Sequence, residues 1–456
     1  MSGSIDPLAR FVLELKHQHV SPQGRRRIVD ALTDVTACAL AGAREPVAVP
    51  LLKVFGTSAR ASGNMQVSVL GLPLFASESD AATLNGAFGH VLDYDDISHP
   101  AYTHPSVSLM PTLFALAASS GASGRELVTA YAAGLQVIGK LGRALNLTHI
   151  ETGWHPTCTF GSIGAAVAAA RLLRLDAEKI MAATSIAASS AAGLRLNFGT
   201  MTKPLHAGYA ARNGLLAARL AQHGLGAAPD PLTHRYGFVN VFGARGPINW
   251  PVFDSWTDLL EIDSDYGLSL KPYPACAATH TPIEAALAVR ARLNGDIGRI
   301  RSMRVGACRV SFTALLYDNP QTELEAKFSM QYSVAAALVH GDINLASFAA
   351  DKLFDARVRA LMPRIAMVDD ERVREHSELG TTMQVTLDDG SSFEEIVMIA
   401  AGKPERWFNT TQMRAKFEDC TRHVGSTVWR DQAFASLQAL DSDEPAATLL
   451  AALQTC

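Results

Sequence analysis

The chain has 456 residues, 48% hydrophobic and 18% charged, with a formal net charge of −4 and a pI near 6.4. That length exceeds one ordinary core and predicts two or three domains, and the composition excludes a disordered chain. The mildly acidic balance excludes the basic footprint of a nucleic-acid protein or a binder of anionic membranes.

Aromatics are only 7% of the residues and alanine is abundant, which favours packed helices over a β sandwich. Cys38, Cys158, Cys276, Cys308, Cys420 and Cys456 form no CxxC pair, so neither a disulfide framework nor a zinc or iron–sulfur site is expected. Residues 1–11 lack the apolar stretch of a signal peptide, and the most apolar run, 161–170, is too short to span a bilayer. A cytoplasmic protein is expected.

In chain order, residues 5–15 and 22–43 carry helical periodicity. Residues 66–72 alternate like a short, local strand. Helices are predicted over 81–92, 106–119, 126–145, 161–173, 177–193 and 206–223, with 197–204 a loop carrying Lys203. From about residue 263 the texture changes. A proline-punctuated stretch, 269–278, leads into a helix over 281–293. Residues 299–311 alternate as a strand, 323–340 and 351–360 read as helices, and 381–387 and 392–400 flank Asp388-Asp389-Gly390, a hairpin signal. Residues 413–420 and 433–455 return to helix. The prediction is a mostly α protein: a large all-helical domain, 1–264 plus 408–456, with an inserted smaller α+β domain over 265–407.

Residues 85–105, NGAFGHVLDYDDISHPAYTHP, hold three histidines and three aspartates between two apolar helices. His-Pro occurs twice there, and the residue before a proline is pushed out of the α region, so the titratable groups sit on a short rigid loop. Other polar residues bracketed by proline or glycine are His155, Lys203, Lys271, His280 and Tyr317. No GxxxxGK[ST], GxGxxG, HExxH or GxSxG motif is present. A pocket of His, Lys, Asp and Tyr suits proton abstraction next to a carboxylate, with cations offsetting the enolate-like charge and holding a polycarboxylate. For Asp95 and Asp96 a solvated or capping role is expected. The 93–96 run lacks a calcium-loop pattern, so no metal is expected. Cys158 and Cys276 are expected to be inert buried thiols.

Five blocks, HVLDYDDISHPAYTHPS at 90–106, GWHPTCTFGSIGAA at 153–166, FGTMTKPLHAGYAARNGLLAARLA at 198–221, KPYPACAATH at 271–280 and LLYDNPQTELEAKFS at 315–329, resemble the MmgE/PrpD family. That family includes 2-methylcitrate dehydratases, cis-aconitate decarboxylases and an iminodisuccinate epimerase. The resemblance implies a helical domain built from both chain ends with an inserted α+β lid, a homodimer, no metal or organic cofactor, and a small polycarboxylate substrate bound in a cleft between the domains. It implies an acid/base pair of His104 and Asp93, His155 as a second acid/base and Tyr317 as a positioning or protonating group. Lys203 and Lys271 would bind carboxylates, with His280 beside Lys271. Ile97 stands where the decarboxylase branch has threonine, and Ile150 where the epimerase has tyrosine. The implied activity is a lyase, dehydratase or decarboxylase, with an epimerase or a catalytically silent polycarboxylate binder as alternatives.

Overall fold

Alanine and glycine decide how closely the helices of the larger unit approach. The computed structural model describes residues 5–56, 67–145, 147–243, 246–376 and 379–454. The chain divides into two compact units, Met1–Leu270 with Asn409–Cys456, and Lys271–Phe408. In the larger unit the helix Pro156–Leu172 is buried on nearly every face. It packs among Ser106–Ser120, Gly124–Leu145, Ala177–Ser190 and Thr202–Gln222. Where it crosses Gly124–Leu145, a Cβ on Gly134 or Gly164 would stand 2.7 or 2.8 Å from the other residue's carbonyl oxygen. A Cβ on Gly208 would lie 2.2 Å from the Thr83 carbonyl oxygen, so this glycine lets Thr202–Gln222 rest on Glu78–His90. Glycine inside a helix costs about 1 kcal/mol relative to alanine; here backbone contact takes the place of the missing side chain.

Proline sets the helix starts that matter for the site. His104-Pro105 leads into Ser106–Ser120, and His155 is the N-cap of the helix that Pro156 begins. His155 takes φ −99° and ψ 102°, outside the α region, and makes no side-chain cap bond. Its imidazole is therefore not spent on the helix end. Lys203, predicted in a loop, lies in the first turn of Thr202–Gln222. Pro204 is tolerated there because first-turn amides have no helical partner. The predicted strand at 66–72 is a hairpin of Val67–Val69 with Leu74–Ala76, held by Asn85, whose side chain bonds Leu70 N and Ser68 O; Gln66 lies outside the described residues.

The returning C-terminal segment closes this unit. Thr410–Thr421 packs on Pro22–Gly42. Buried Lys416 lies with Nζ 2.5 Å from Asp34 Oδ1, donates to the Tyr94 carbonyl at 2.7 Å and sits 4.0 Å from the centre of the Tyr94 ring. The helix predicted over 433–455 is two helices, Thr427–Gln438 and Ala446–Ala451, with Thr455 outside the described residues. The acidic break between them is used: Gly124 and Arg125 N–H donate to the Glu444 and Ser442 carbonyls at 2.9 Å.

In the smaller unit a four-stranded sheet runs in the order Ile365–Asp369, Ile300–Ala307, Thr381–Leu387, Ser392–Val397. The first pair is parallel and the others antiparallel. His280–Arg292 and Met330–His340 pack on it, burying Ile283, Val334 and Leu338 with Met303, Val305 and Val385. Gly390, at φ 81°, turns the predicted hairpin. The strand predicted over 299–311 stops at Ala307, and Arg309–Ala314 is helical. The helices predicted over 323–340 and 351–360 each break in two, because Ser329 and Asp355 cap a fresh N-terminus with their side chains. Among the described residues no helix is long and apolar enough to cross a membrane.

Burial pushes the Asp34 carboxyl up from 3.8 to about 6, against the pull of Lys416. Between those values the folded form holds a proton that the unfolded form has released, so this site's stabilisation falls as pH rises through that window. Lys416→Met leaves Asp34 buried and unpaired. It is expected to cost about 3–5 kcal/mol in denaturant unfolding at pH 7. A loss below about 1 kcal/mol, the size of an exposed ion pair, would show that the pair does not hold the chain ends together.

Candidate active site

Four consecutive residues, Asp93 to Asp96, reach five different partner residues. Asp93 has φ 54°, a left-handed conformation that aspartate tolerates better than most residues. Its Oδ1 accepts a hydrogen bond from Lys203 Nζ at 2.8 Å, with both side chains nearly buried. The Tyr94 carbonyl takes the Lys416 ammonium.

Asp95 is fully buried. Its Oδ2 accepts from His90 Nδ1 at 2.8 Å, and His104 Nδ1 lies 3.0 Å from the same oxygen without forming an aligned hydrogen bond. Burial favours protonation of Asp95, but the two imidazoles outweigh it and hold the carboxyl well below the usual range. A carboxylate only accepts, so His90 carries its proton on Nδ1. Burial lowers the His90 pKa to about 4, with Asp95 pulling the other way. His90 is therefore a neutral donor near pH 7.

Asp96 is also fully buried. It accepts from the Ser106 N–H at 3.2 Å and from the Ser106 hydroxyl, which itself lies 2.5 Å from Tyr131 Oη. Burial pushes Asp96 well above the usual carboxylate range, with Ser106 pulling it down. The expectation of a solvated or capping role is thus corrected for Asp95, which is dry and grips imidazoles. Asp96 does cap the helix Ser106–Ser120, but from a buried position.

His155 completes a row of rings. Its centroid lies 5.9 Å from His90, and His90 lies 4.5 Å from His104. Phe198 meets His155 edge-on at 4.9 Å and lies 5.4 Å under Lys203 Nζ. Burial lowers the His155 pKa well below 6.5, and the neighbouring cations and imidazoles add to this. Its Nδ1 faces His206 Nδ1 at 2.9 Å. The larger unit therefore brings Asp93, His104, His155 and Lys203 together.

Lys271, His280 and Tyr317 belong to the smaller unit. Lys271 is buried. His280 opens the helix His280–Arg292, and its Nε2 donates to the Ala275 carbonyl at 3.1 Å beside the Tyr273 ring. Tyr317 is 39% exposed, between the short helices Arg309–Ala314 and Glu323–Ala326. Cys158 is buried and its thiol pushed up to about 12, while Cys276 is half-buried; Cys456 lies outside the described residues.

Among the described residues, His90, Asp95 and His104 present ligand atoms within 4.8 Å of one another and could hold a metal ion. A metal bound through His90 Nδ1 would have to displace the proton that Asp95 now accepts. Sequence reasoning passed over His90, Asp95 and His206. A signal existed for His206: once the helix starts at Thr202, Lys203 and His206 stand three apart on one face.

The chain matches the MmgE/PrpD N-terminal domain over residues 6–251 and the MmgE/PrpD C-terminal domain over residues 273–440. It is 32% identical to human cis-aconitate decarboxylase over 344 residues, covering 73% of this chain and 71% of that one. It is 31% identical to the mouse cis-aconitate decarboxylase over 367 residues, covering 78% and 74%. A cis-aconitate decarboxylase of Aspergillus terreus is 26% identical over 427 residues, 89% of this chain and 86% of its own. With both halves matched, and with the blocks around Asp93, His155 and Lys203 folded into one constellation, the chain belongs to the MmgE/PrpD family.

Proposed function

We propose that this chain is a decarboxylase of a small unsaturated tricarboxylate of the cis-aconitate type. The observation that carries the reading is the Asp93–Lys203 pair set beside the histidine row, in a chain whose relatives bear that name. In such a substrate the bond from the CH₂ carbon to its carboxylate breaks and CO₂ leaves. The electron pair becomes a new C=C bond, and the displaced π electrons reach the far carboxylate as a dienolate. A proton added to the carbon next to that carboxylate gives a methylene-substituted succinate.

Little covalent work falls to the protein. It must hold three carboxylates, stabilise the dienolate and supply one proton. Lys203 is a cation with three N–H donors, one of them given to Asp93, and cations aimed at developing charge are worth most in a dry site. His104, with Nδ1 facing Asp95, presents Nε2 for proton transfer. His155 is the second acid/base. Lys271 and His280 are assigned to carboxylate binding and Tyr317 to positioning or proton return. No step uses a metal or an organic cofactor. The homodimer that the resemblance implies is part of the reading, and light scattering tests it.

In heavy water, EDTA-treated protein is expected to release CO₂ from cis-aconitate and place one deuterium in the product, at the untreated rate. Water loss from a hydroxy acid, or deuterium exchange without CO₂, would replace the reading by a dehydratase or an epimerase. His104→Ala and Lys203→Ala should each lower kcat by about 10²–10⁴ with the circular-dichroism spectrum unchanged. Near-normal turnover in both would remove the assigned roles. Asp95→Asn offers His104 a donor in place of an acceptor and favours the wrong tautomer. A fall in kcat of at least about 10² with KM retained is expected, and unchanged kcat would leave Asp95 a purely structural group.

A further inference from the structure

Two imidazoles meet nitrogen to nitrogen in this site. His155 Nδ1 and His206 Nδ1 are 2.9 Å apart, so one proton lies between them. When His206 donates, a neutral His155 must carry its own proton on Nε2; when His155 donates, His206 must. The two rings hold opposite tautomers.

The surroundings keep His155 from taking a second proton. It is 2% exposed. The titratable groups acting on it are His90, Lys203, His206 and His104, all of which disfavour a cation there. A neutral imidazole that gives up its only proton becomes an anion, which a buried site cannot carry. His155 can act as an acid only if a proton reaches Nδ1 as one leaves Nε2. His90 cannot supply it, because its Nδ1 is held by Asp95 and its Nε2 has no hydrogen-bond partner.

We propose that His206 is the proton relay of His155, and so a positioning residue of the reaction. In the step, the His155 Nε2–H bond breaks and a C–H bond forms on the dienolate carbon. The His206 Nδ1 proton moves to His155 Nδ1, and a solvent proton enters His206 Nε2. One proton passes from water to carbon, and each ring stays neutral with its tautomer reversed. When the product has left, a solvent proton adds at His155 Nε2, the His155 Nδ1 proton returns to His206 Nδ1 and the His206 Nε2 proton leaves to solvent, which restores the starting pair. The helix Thr202–Gln222 holds the relay in register, since Lys203 and His206 share one face and reach Asp93 and His155.

The inference rests on the proposed decarboxylation, and its test separates the two. His206→Gln and His206→Asn keep a polar amide but cannot pass a proton through. Each is expected to lower kcat by about 10² with KM and melting midpoint retained. The dependence of kcat on the deuterium fraction of the solvent should change from curved in the native chain to linear in the variants. Retained kcat, or a loss of kcat accompanied by raised KM and lowered melting midpoint in both variants, would overturn the relay. The resting protein gives a readout independent of turnover. Isotope-labelled histidine NMR should show opposite tautomers at His155 and His206, and identical tautomers would overturn the relay. If the native chain does not turn over cis-aconitate, the decarboxylase reading falls while the tautomer measurement still decides the relay.

Discussion

The four-residue run Asp93-Tyr94-Asp95-Asp96 anchors Lys203, His90, His104 and Lys416 of the larger unit. The left-handed turn at Asp93 sends successive groups in different directions. Asp93 then meets Lys203, the Tyr94 carbonyl meets Lys416, Asp95 meets His90 and His104, and Asp96 meets the start of Ser106–Ser120. These partners come from the segment before the run, the one after it, a helix more than a hundred residues on and the C-terminal return. A loop carrying three carboxylates could not remain dry unless each found a donor, because an unpaired buried charge costs several kcal/mol. The same contacts that satisfy the carboxylates therefore hold Lys203, His90 and His104 in register.

The C-terminal return is part of that arrangement. Lys416 neutralises Asp34 and bonds the backbone of the loop at Tyr94. A buried ion pair adds little net stability compared with an apolar contact, but breaking it is expensive. It works as a register pin. A family domain that continues past the smaller unit to residue 440 includes this lysine, which lies in the larger unit with the N-terminal segments.

Much of this was legible in the sequence where local rules govern. The small-residue helices, the His104-Pro105 and His155-Pro156 breaks that became helix starts, and the turn at Gly390 follow from periodicity and backbone restriction alone. Where the reading failed, a side chain acted over distance or as a cap. Ser329 and Asp355 divide helices whose apolar pattern runs on without a break. Ile365–Asp369 is too short to stand out, and becomes a strand by pairing with Ile300–Ala307 in parallel. Asp95 and Asp96 look like solvated charges because nothing local says that His90, His104 and Ser106 will surround them. His206 shows only as a helical histidine until His155, 51 residues away, is brought against it.

What finally distinguishes the histidines is the group facing each Nδ1. A carboxylate can only accept, so Asp95 fixes the His90 proton on Nδ1 and, facing His104, favours the same tautomer there with Nε2 outward. Another imidazole can accept or donate, so the His155–His206 contact leaves the tautomer free to reverse. One kind of side chain thereby provides two functions. His104 is held as a group of constant direction beside the Asp93–Lys203 pair. In the proposed relay His155 is a donor refilled from behind while staying uncharged. Burial enforces the difference, since it makes the imidazolium costly at His90 and His155 and leaves tautomer exchange as the way to move a proton without moving a charge.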